Sequence, residues 1–304
     1  REAVEKQIQT GRQCAGLPEY VDEICYELES CPYSPLKKSP VSTANEGILS
    51  ICSGCSGVAW NVMPKRLSDA ENIFNAIRSK TPFMELLSEK FKNGKNLGVY
   101  DGWHPQAQAA VPDFFSDYGG RYAEGMDEID LLGIPRSYNL HKASAFVLQG
   151  RQPLVFSDEE IRYILSRGVY MDADAADILC KMGFGKYIGF KKGDETVDDL
   201  SEVCLNHPLN KGIEGESRTC FSVFAKGKSY ALIPEKGAAV ISNIQDVDRN
   251  VKYPCAMGCF ENELGGRVAV CGYFPWTDLS DYDKALQMKR LFLYLSNNAL
   301  EANI

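Results

Sequence analysis

The sequence predicts a multidomain α/β protein: the terminal units of a (β/α)8 barrel, then a doubly wound domain, then a small antiparallel β domain. Three observations predict this order. Short apolar strands alternate with helices at the start, a second strand–helix alternation begins after Gly94, and hairpin patterns fill the last third. We place the three domains at 1–94, 95–192 and 193–304.

Composition excludes several classes of partner. The chain has 304 residues, 44% hydrophobic and 24% charged, as in an ordinary globular protein. Its net charge of −8 disfavours nucleic acid and anionic membrane surfaces, so we expect neither as a partner. The 11 cysteines are scattered, mostly in apolar contexts, and this pattern predicts reduced thiols in a cytoplasmic protein.

The first domain contains two strand candidates, EICYEL at 23–28 and GVAW at 57–60. Uninterrupted apolar runs of this kind are typical of buried parallel strands. Helical segments separate and follow them, which is the repeat of a β/α barrel. Two units cannot close a barrel, so we expect the chain to depend on a missing N-terminal barrel portion.

Capping signals predict where the helices of the first domain begin. Ser39 is a predicted N-cap, with Pro40 at the first helical position. Ser68 and Glu71 form a predicted capping box that opens a second helix. We expect a further helix to start at Pro82.

The second domain begins with the strand LGVY at 97–100, and Ser157 with Glu160 forms another predicted capping box. A doubly wound domain binds ligands after such a strand, where this chain has Asp101-Gly-Trp-His104. The segment lacks the Ser, Thr and Gly residues of a flavin phosphate loop. We therefore predict a non-catalytic domain with no cofactor, and His104 as a loop histidine.

The third domain contains two predicted hairpins. CFSVFA and SYALIP flank a Lys-Gly turn, and CAMGCFE and RVAVCGYF flank a Gly-Gly turn. A closing helix follows, DYDKALQMKRLFLYLSNNAL, with a leucine-rich apolar stripe. These segments predict an antiparallel sheet covered by one helix.

Two glutamates are candidates for catalysis. In a barrel enzyme the catalytic groups lie at the carboxyl ends of the strands, where EICYELES ends. The alternation of side chains along a strand places Glu27 and Glu29 on the same face, so periodicity does not choose between them. A strand-end glutamate is more often a solvated loop charge or an ion-pair partner.

A family resemblance distinguishes the two. Glu29-Ser-Cys-Pro, then Ser34-Pro-Leu-Lys-Lys, then a helix ending in Gly54, then GVAWN, is similar to the seventh and eighth barrel units of the glycoside hydrolase family 42 β-galactosidases. In that family the nucleophile precedes a similar Pro and Pro-Leu-Lys stretch. The resemblance therefore gives Glu29 the nucleophile position, with Glu27 as the alternative. It also implies that the second domain is a flavodoxin-like trimerisation domain.

The resemblance implies a retaining glycoside hydrolase that cleaves a β-linked sugar, with carbohydrate as substrate and no metal or cofactor. Its acid/base residue would lie upstream of Arg1, so we expect the isolated chain to be inactive. Trp60 is a candidate for stacking on the sugar, Asn61 for binding a hydroxyl, and Lys37 or its neighbour Lys38 for holding Glu29 ionised.

The alternative function is a non-catalytic oligomerisation or carbohydrate-binding module. The resemblance also implies that the protein forms a homo-oligomer, a trimer.

The spacing Cys52-x-x-Cys55 is typical of metal or redox sites. No second cysteine pair or histidine cluster accompanies it in the sequence. The motif lies at the end of a predicted helix, where small residues favour packing. We interpret both cysteines as packing residues and predict no metal site.

Overall fold

The chain divides into two compact units, Arg1–Asn96 and Leu97–Ile304. The computed structural model describes residues 2–18, 20–30, 38–62, 66–93, 97–104, 129, 132–196, 198–222 and 227–300. No described helix has the length and apolar character needed to cross a lipid bilayer.

The first unit is a β-α-β arrangement flanked by helices. Its elements are α1 (Glu2–Gly16), β1 (Cys25–Glu29), α2 (Pro40–Cys52), β2 (Gly57–Asn61) and α3 (Leu67–Asn93). The two strands pair in parallel, and the register aligns Cys25 with Gly57 and Glu29 with Asn61. The predicted cap of α2 is confirmed, because the Ser39 hydroxyl accepts a hydrogen bond from the Ser42 N–H.

The two faces of this small sheet have different environments. Leu28 is buried, and Trp60 packs against α2 at Gly47, where a Cβ atom would overlap the indole ring. Glu27 and Ala59, on the opposite face, are exposed. The helices therefore cover one face of the sheet, and the described residues leave the other open to solvent.

The helix α3 differs from the prediction. It runs for 27 residues through Pro82, where we expected one helix to end and another to begin. A proline inside a helix removes one backbone hydrogen bond, but buried side chains on both sides, Ile73 and Met84, hold the two halves against the unit. Tertiary packing thus overrides the local stop signal.

The second unit contains eleven strands and three α-helices among its described residues. The strands are β3 (Val99–Tyr100), β4 (Arg136–Ser137), β5 (Ala145–Leu148), β6 (Gly168–Asp172), β7 (Phe190–Glu195), β8 (Leu200–Cys204), β9 (Ser217–Phe221), β10 (Tyr230–Pro234), β11 (Ala239–Gln245), β12 (Val251–Glu261) and β13 (Arg267–Cys271). The helices are α4 (Asp158–Leu165), α5 (Ala173–Leu179) and α6 (Tyr282–Leu295).

Nine of these strands form one sheet in the order β4-β3-β5-β6-β13-β12-β11-β8-β9. The strands from β4 to β13 are parallel neighbours, and those from β13 to β9 are antiparallel. The stretches 95–192 and 193–304, predicted as separate domains, thus share a sheet, and the structure does not divide after 192. The reason is that β13 hydrogen-bonds to β6 along one edge and to β12 along the other.

The two predicted hairpins have different outcomes. The pairing of β12 with β13 is confirmed, with Met257 opposite Cys271. Among the described residues, β9 pairs with β8, and β10 pairs with β7 in a separate two-stranded sheet. Residues 223–226, which the predicted pairing of β9 with β10 includes, lie outside the described residues. Burial of Ala231 and Leu232 in two different core clusters favours these distant partners over a local turn.

A buried ionic network joins the antiparallel strands to α6. Glu202 is fully buried and accepts hydrogen bonds from the hydroxyls of Ser242 at 2.6 Å and Tyr273 at 3.0 Å. Burial opposes its ionisation, but Lys284, at 3.7 Å, and Arg218 lower the pKa of Glu202 overall. The carboxylate thus stays charged and ties β8 to α6.

Asp172, the last residue of β6, is a half-buried carboxylate that accepts hydrogen bonds from backbone N–H groups. Its Oδ1 atom accepts hydrogen bonds from the N–H groups of Ala175 at 2.8 Å and Gly150 at 3.0 Å. It therefore caps α5 and fixes the loop after β5. Burial raises the pKa of Asp172 to about 6, because these hydrogen bonds offset only part of the desolvation.

We expect Asp172→Asn to become progressively more stable than the parent chain as pH rises from about 4 to 7. The folded pKa lies above the unfolded value, so the stability linked to the Asp172 proton is complete below the unfolded pKa and is lost as pH rises through about 6. The difference should reach up to about 3 kcal/mol. Asparagine keeps the accepting oxygen and has no charge.

Guanidinium unfolding at a series of pH values, followed by pulsed hydrogen exchange of a peptide covering α5, measures this difference. Asp177→Asn, on the same helix, is the matched control and should show no such trend. A difference between Asp172→Asn and the parent that is constant with pH would contradict the assignment.

Candidate functional site

The candidate site lies at the carboxyl ends of β1 and β2. Glu29 and Asn61 are paired in register there, and the Ser30 N–H donates to the Asn61 carbonyl at 3.0 Å. Glu27 lies two positions earlier on the same face and is exposed, whereas Glu29 is half-buried. The structure thus brings Glu27, Glu29 and Asn61 together on the open face of the sheet.

A lysine holds the end of β1. The Lys38 Nζ atom donates to the Glu29 carbonyl oxygen at 3.0 Å and to Glu46 Oε2 at 2.5 Å. Lys37, the lysine singled out as a substrate-binding candidate, lies outside the described residues. Its neighbour Lys38 fixes the backbone of Glu29 and places a positive charge beside the site.

Glu46, on α2, is the centre of the surrounding charges. It accepts hydrogen bonds from Lys6 Nζ at 3.2 Å and from the Tyr26 hydroxyl at 3.3 Å, in addition to that from Lys38. Partial burial opposes its ionisation, but the two lysines lower the pKa of Glu46 overall. One carboxylate therefore links α1, β1 and Lys38, which lies two positions before α2.

These residues border a cavity of about 150 Å³. It is lined by Lys6, Tyr26, Glu27, Glu29, Lys38 and Glu46. Small-molecule pockets usually begin at about 300 Å³, so this cavity has room for part of a ligand. Three carboxylates and two ammonium groups offer hydrogen-bond acceptors and donors suited to hydroxyl groups.

Trp60 does not join this cluster. It is paired with Leu28 and packs against Gly47 of α2, on the helix-covered face of the sheet. Neighbouring residues of a strand point to opposite faces, so Asn61 lies on the face of Glu29 and Trp60 does not. Trp60 thus packs on α2, and its stacking on a sugar stays a prediction.

Sequence reasoning missed Lys6, Tyr26 and Glu46. Glu46 lies 40 positions from Lys6 and 20 from Tyr26, so no local pattern links them. The one available signal was Glu46 itself, a charged residue among the apolar and small residues of PVSTANEGILSIC.

The second unit has its own pocket, beside the N-terminus of α4. Its volume is about 450 Å³, and His104 Nε2 lies 3.6 Å from Glu160 Oε1 at one wall. The lining comprises His104, His141, Val155, Ser157, Glu159, Glu160 and Tyr163. The predicted capping box of Ser157 and Glu160 is confirmed and shapes this wall. Among the described residues, no three metal-ligating side chains converge to hold an ion.

The crevice between the carboxyl ends of β3 and β5 is filled by the protein itself. The Gln152 side chain, almost completely buried, donates to the Asp101 carbonyl at 3.1 Å and accepts from the Gln149 N–H at 2.7 Å. Gly102, at φ +73°, leaves the space that Gln152 occupies. Doubly wound domains bind ligands at this position, and here a glutamine occupies it.

We expect Glu46→Gln to destabilise the first unit by about 1–2 kcal/mol near neutral pH, because it weakens charge-assisted hydrogen bonds that are partly exposed. The folded pKa of Glu46 is lowered, so its contribution is complete above the unfolded pKa and is lost as pH falls through the folded value. The variant and the parent should therefore converge in acid. Guanidinium unfolding with pulsed hydrogen exchange of an α2 peptide, at pH 7 and at about pH 3, measures the difference.

Glu27→Gln is the control for this experiment, since Glu27 is exposed and lines the same cavity. It should change stability by less than about 0.5 kcal/mol. A loss equal to that of Glu46→Gln, or a loss from Glu46→Gln that persists in acid, would contradict the central role of Glu46.

The sequence matches no protein-family model and no curated protein. Among solved structures it is similar to α-L-fucosidase isoenzyme 2 from Paenibacillus thiaminolyticus, with a TM-score of 0.58 and 10% identity. The similarity covers 90% of this chain and 44% of that chain, so this chain spans less than half the length of that protein. At this identity the similarity shows the fold alone: a mixed α/β arrangement like that of part of the fucosidase, which does not single out family 42.

Proposed function

We propose that the chain is the C-terminal part of a retaining glycoside hydrolase that cleaves a β-linked sugar, with Glu29 as nucleophile. The observation that carries the proposal is the register of β1 and β2, which aligns Glu29 with Asn61 at the carboxyl ends of adjacent parallel strands. Barrel enzymes place their catalytic groups at this end of the strands. The fold similarity to a fucosidase supports a glycosidase.

The first unit supplies the last two strands of the barrel in this proposal. A parallel sheet is normally covered on both faces, yet the face of Glu27 and Ala59 is open among the described residues. Each of the two strands also has one edge without a strand partner among the described residues. An N-terminal barrel portion would pair with these strands and turn the open face toward the barrel interior.

The chemistry would use Glu29 together with a second carboxylate on an earlier strand. Glu29 attacks the anomeric carbon and forms a glycosyl-enzyme, while the second carboxyl group, ~5–5.5 Å away, protonates the leaving oxygen and then activates water. Lys38 fixes the strand end through the Glu29 carbonyl. Asn61 is placed to bind a sugar hydroxyl, and Lys37 remains a predicted contact for substrate.

The second unit would serve assembly. In its parallel half the first strand, β3, lies between the second and the third, β4 and β5, which is the order of flavodoxin-like sheets. We propose that this half corresponds to the flavodoxin-like trimerisation domain of the family 42 β-galactosidases and that the whole protein forms a homotrimer. With Gln152 in the ligand crevice, this half would be non-catalytic.

A second candidate function is a carbohydrate-binding module without catalysis. The observation that favours it is the pocket of about 450 Å³ in the second unit, which offers histidine, carboxylate and tyrosine groups. Such groups bind sugar hydroxyls without bond cleavage. Under this alternative Glu29 would be a structural residue of a barrel remnant.

We expect Glu29→Gln in the whole encoded polypeptide to lower kcat by at least about 10⁴-fold, because a covalent nucleophile would be lost. The assay uses a panel of aryl glycosides that includes β-D-galactosides and α-L-fucosides. Azide added to a small-side-chain variant, Glu29→Gly, should restore part of the turnover with an activated substrate and trap the sugar as a glycosyl azide.

Glu27→Gln is the matched variant, from the same strand face. It should retain activity within about tenfold of the parent if Glu29 is the nucleophile. Activity that survives Glu29→Gln within a few-fold would exclude Glu29, and loss only in Glu27→Gln would reverse the assignment. We expect the isolated 304-residue chain to be inactive, and turnover by it would contradict the partial barrel.

A further inference from the structure

Two cysteines from different elements meet in the first unit. Cys14 lies near the end of α1, Cys55 lies between α2 and β2, and their sulfur atoms are 3.8 Å apart. The two residues are 41 positions apart in the sequence. Cys52, the other half of the Cys52-x-x-Cys55 motif, lies on α2, and the sulfur contact of Cys55 is with Cys14.

The backbone around Cys55 is shaped to receive α1. Gly54 has φ +109°, and a Cβ atom there would lie 3.2 Å from the Cβ of Cys14. The Ser53 hydroxyl donates to the Gln7 carbonyl of α1 at 3.2 Å. Glycine at position 54 therefore provides both the turn and the space that bring the two sulfur atoms together.

The pair is asymmetric in exposure and charge. Cys14 is half-buried, whereas Cys55 is buried, so Cys14 is the sulfur that solvent reaches more easily. A hydrogen bond with Cys55 lowers the pKa of the Cys14 thiol, against the effect of burial. The same hydrogen bond, together with burial, raises the pKa of Cys55. Because Cys14 is the less buried residue, it is the thiol that a small oxidant reaches first.

We propose that Cys14 and Cys55 are an oxidative modification site, at which hydrogen peroxide converts the adjacent thiols into a reversible disulfide. A disulfide has sulfur atoms about 2.05 Å apart, so side-chain rotation must bring them closer by roughly 1.7 Å. The bond would fasten the end of α1 to the corner that leads into β2.

The reaction has two balanced steps. The Cys14 thiolate attacks one peroxide oxygen; the S–O bond forms, the O–O bond breaks, and hydroxide leaves and becomes water. Cys14 is oxidised by two electrons to the sulfenic acid, and peroxide is reduced. The Cys55 sulfur then attacks the Cys14 sulfur, hydroxide leaves with the Cys55 proton as a second water, and the S–S bond forms. Two equivalents of thiol reverse the reaction.

The test treats the full chain, reduced and freed of reductant, with a small excess of hydrogen peroxide. Free thiols are then alkylated, and a digest is mapped by mass spectrometry without reduction. We expect a cross-linked peptide pair containing Cys14 and Cys55, which dithiothreitol separates. The oxidised chain should also melt several degrees higher than the reduced chain, because the bond closes a long loop.

Cys14→Ser and Cys55→Ser cannot form this cross-link, so each should lose the rise in melting temperature that peroxide causes in the parent. Cys52→Ser is the matched control from the same motif and should leave the yield of the cross-link unchanged. In Cys55→Ser, dimedone should capture Cys14 as the trapped sulfenic acid. The proposal would be overturned if Cys55 formed a cross-link with Cys52 or Cys25. It would also be overturned if Cys14 reacted with peroxide in Cys55→Ser but formed no cross-link with Cys55 in the parent. A Cys14 that peroxide leaves unmodified would overturn it as well.

Discussion

The parallel pairing of β13 with β6 is the constraint on which the second unit depends. The central residues of β13, Val268, Ala269 and Val270, are completely buried, so this strand must have a neighbour on each side and cover on each face. Its neighbour β12 arrives through a local hairpin, whereas β6 lies about 100 positions earlier in the chain. Because β13 pairs with β6 in parallel and with β12 antiparallel, the parallel and antiparallel halves form one sheet.

The first unit also depends on the pairing of two parallel strands, β1 and β2. The register of β1 and β2 decides which side chains share a face, and it places Glu29 beside Asn61 while Trp60 packs on α2. Lys38 then fixes the strand end through the carbonyl of Glu29. The candidate site thus derives its geometry from strand pairing, and its surrounding charges come from α1, α2 and Lys38.

Three carboxylates show how the partner decides the charge state. Glu46 and Glu202 both lose solvation, yet lysines lower their pKa values. Asp172 receives backbone N–H donors, and burial raises its pKa to about 6. Backbone N–H groups position the Asp172 carboxylate, whereas the charge of a lysine offsets the desolvation of Glu46 and of Glu202.

The sequence by itself determined the local features: the caps at Ser39 and Ser157, the hairpin of β12 with β13, and the shared face of Glu27 and Glu29. These depend on contacts within a few residues or on the period of a strand. Tertiary structure decided the partners of β9 and β10, the continuity of α3 through proline, and the meeting of Cys14 with Cys55. It also decided the role of Glu46, which local spacing did not predict. Such features depend on which apolar surfaces are buried together, and the free energy of that burial exceeds the local preferences that oppose it.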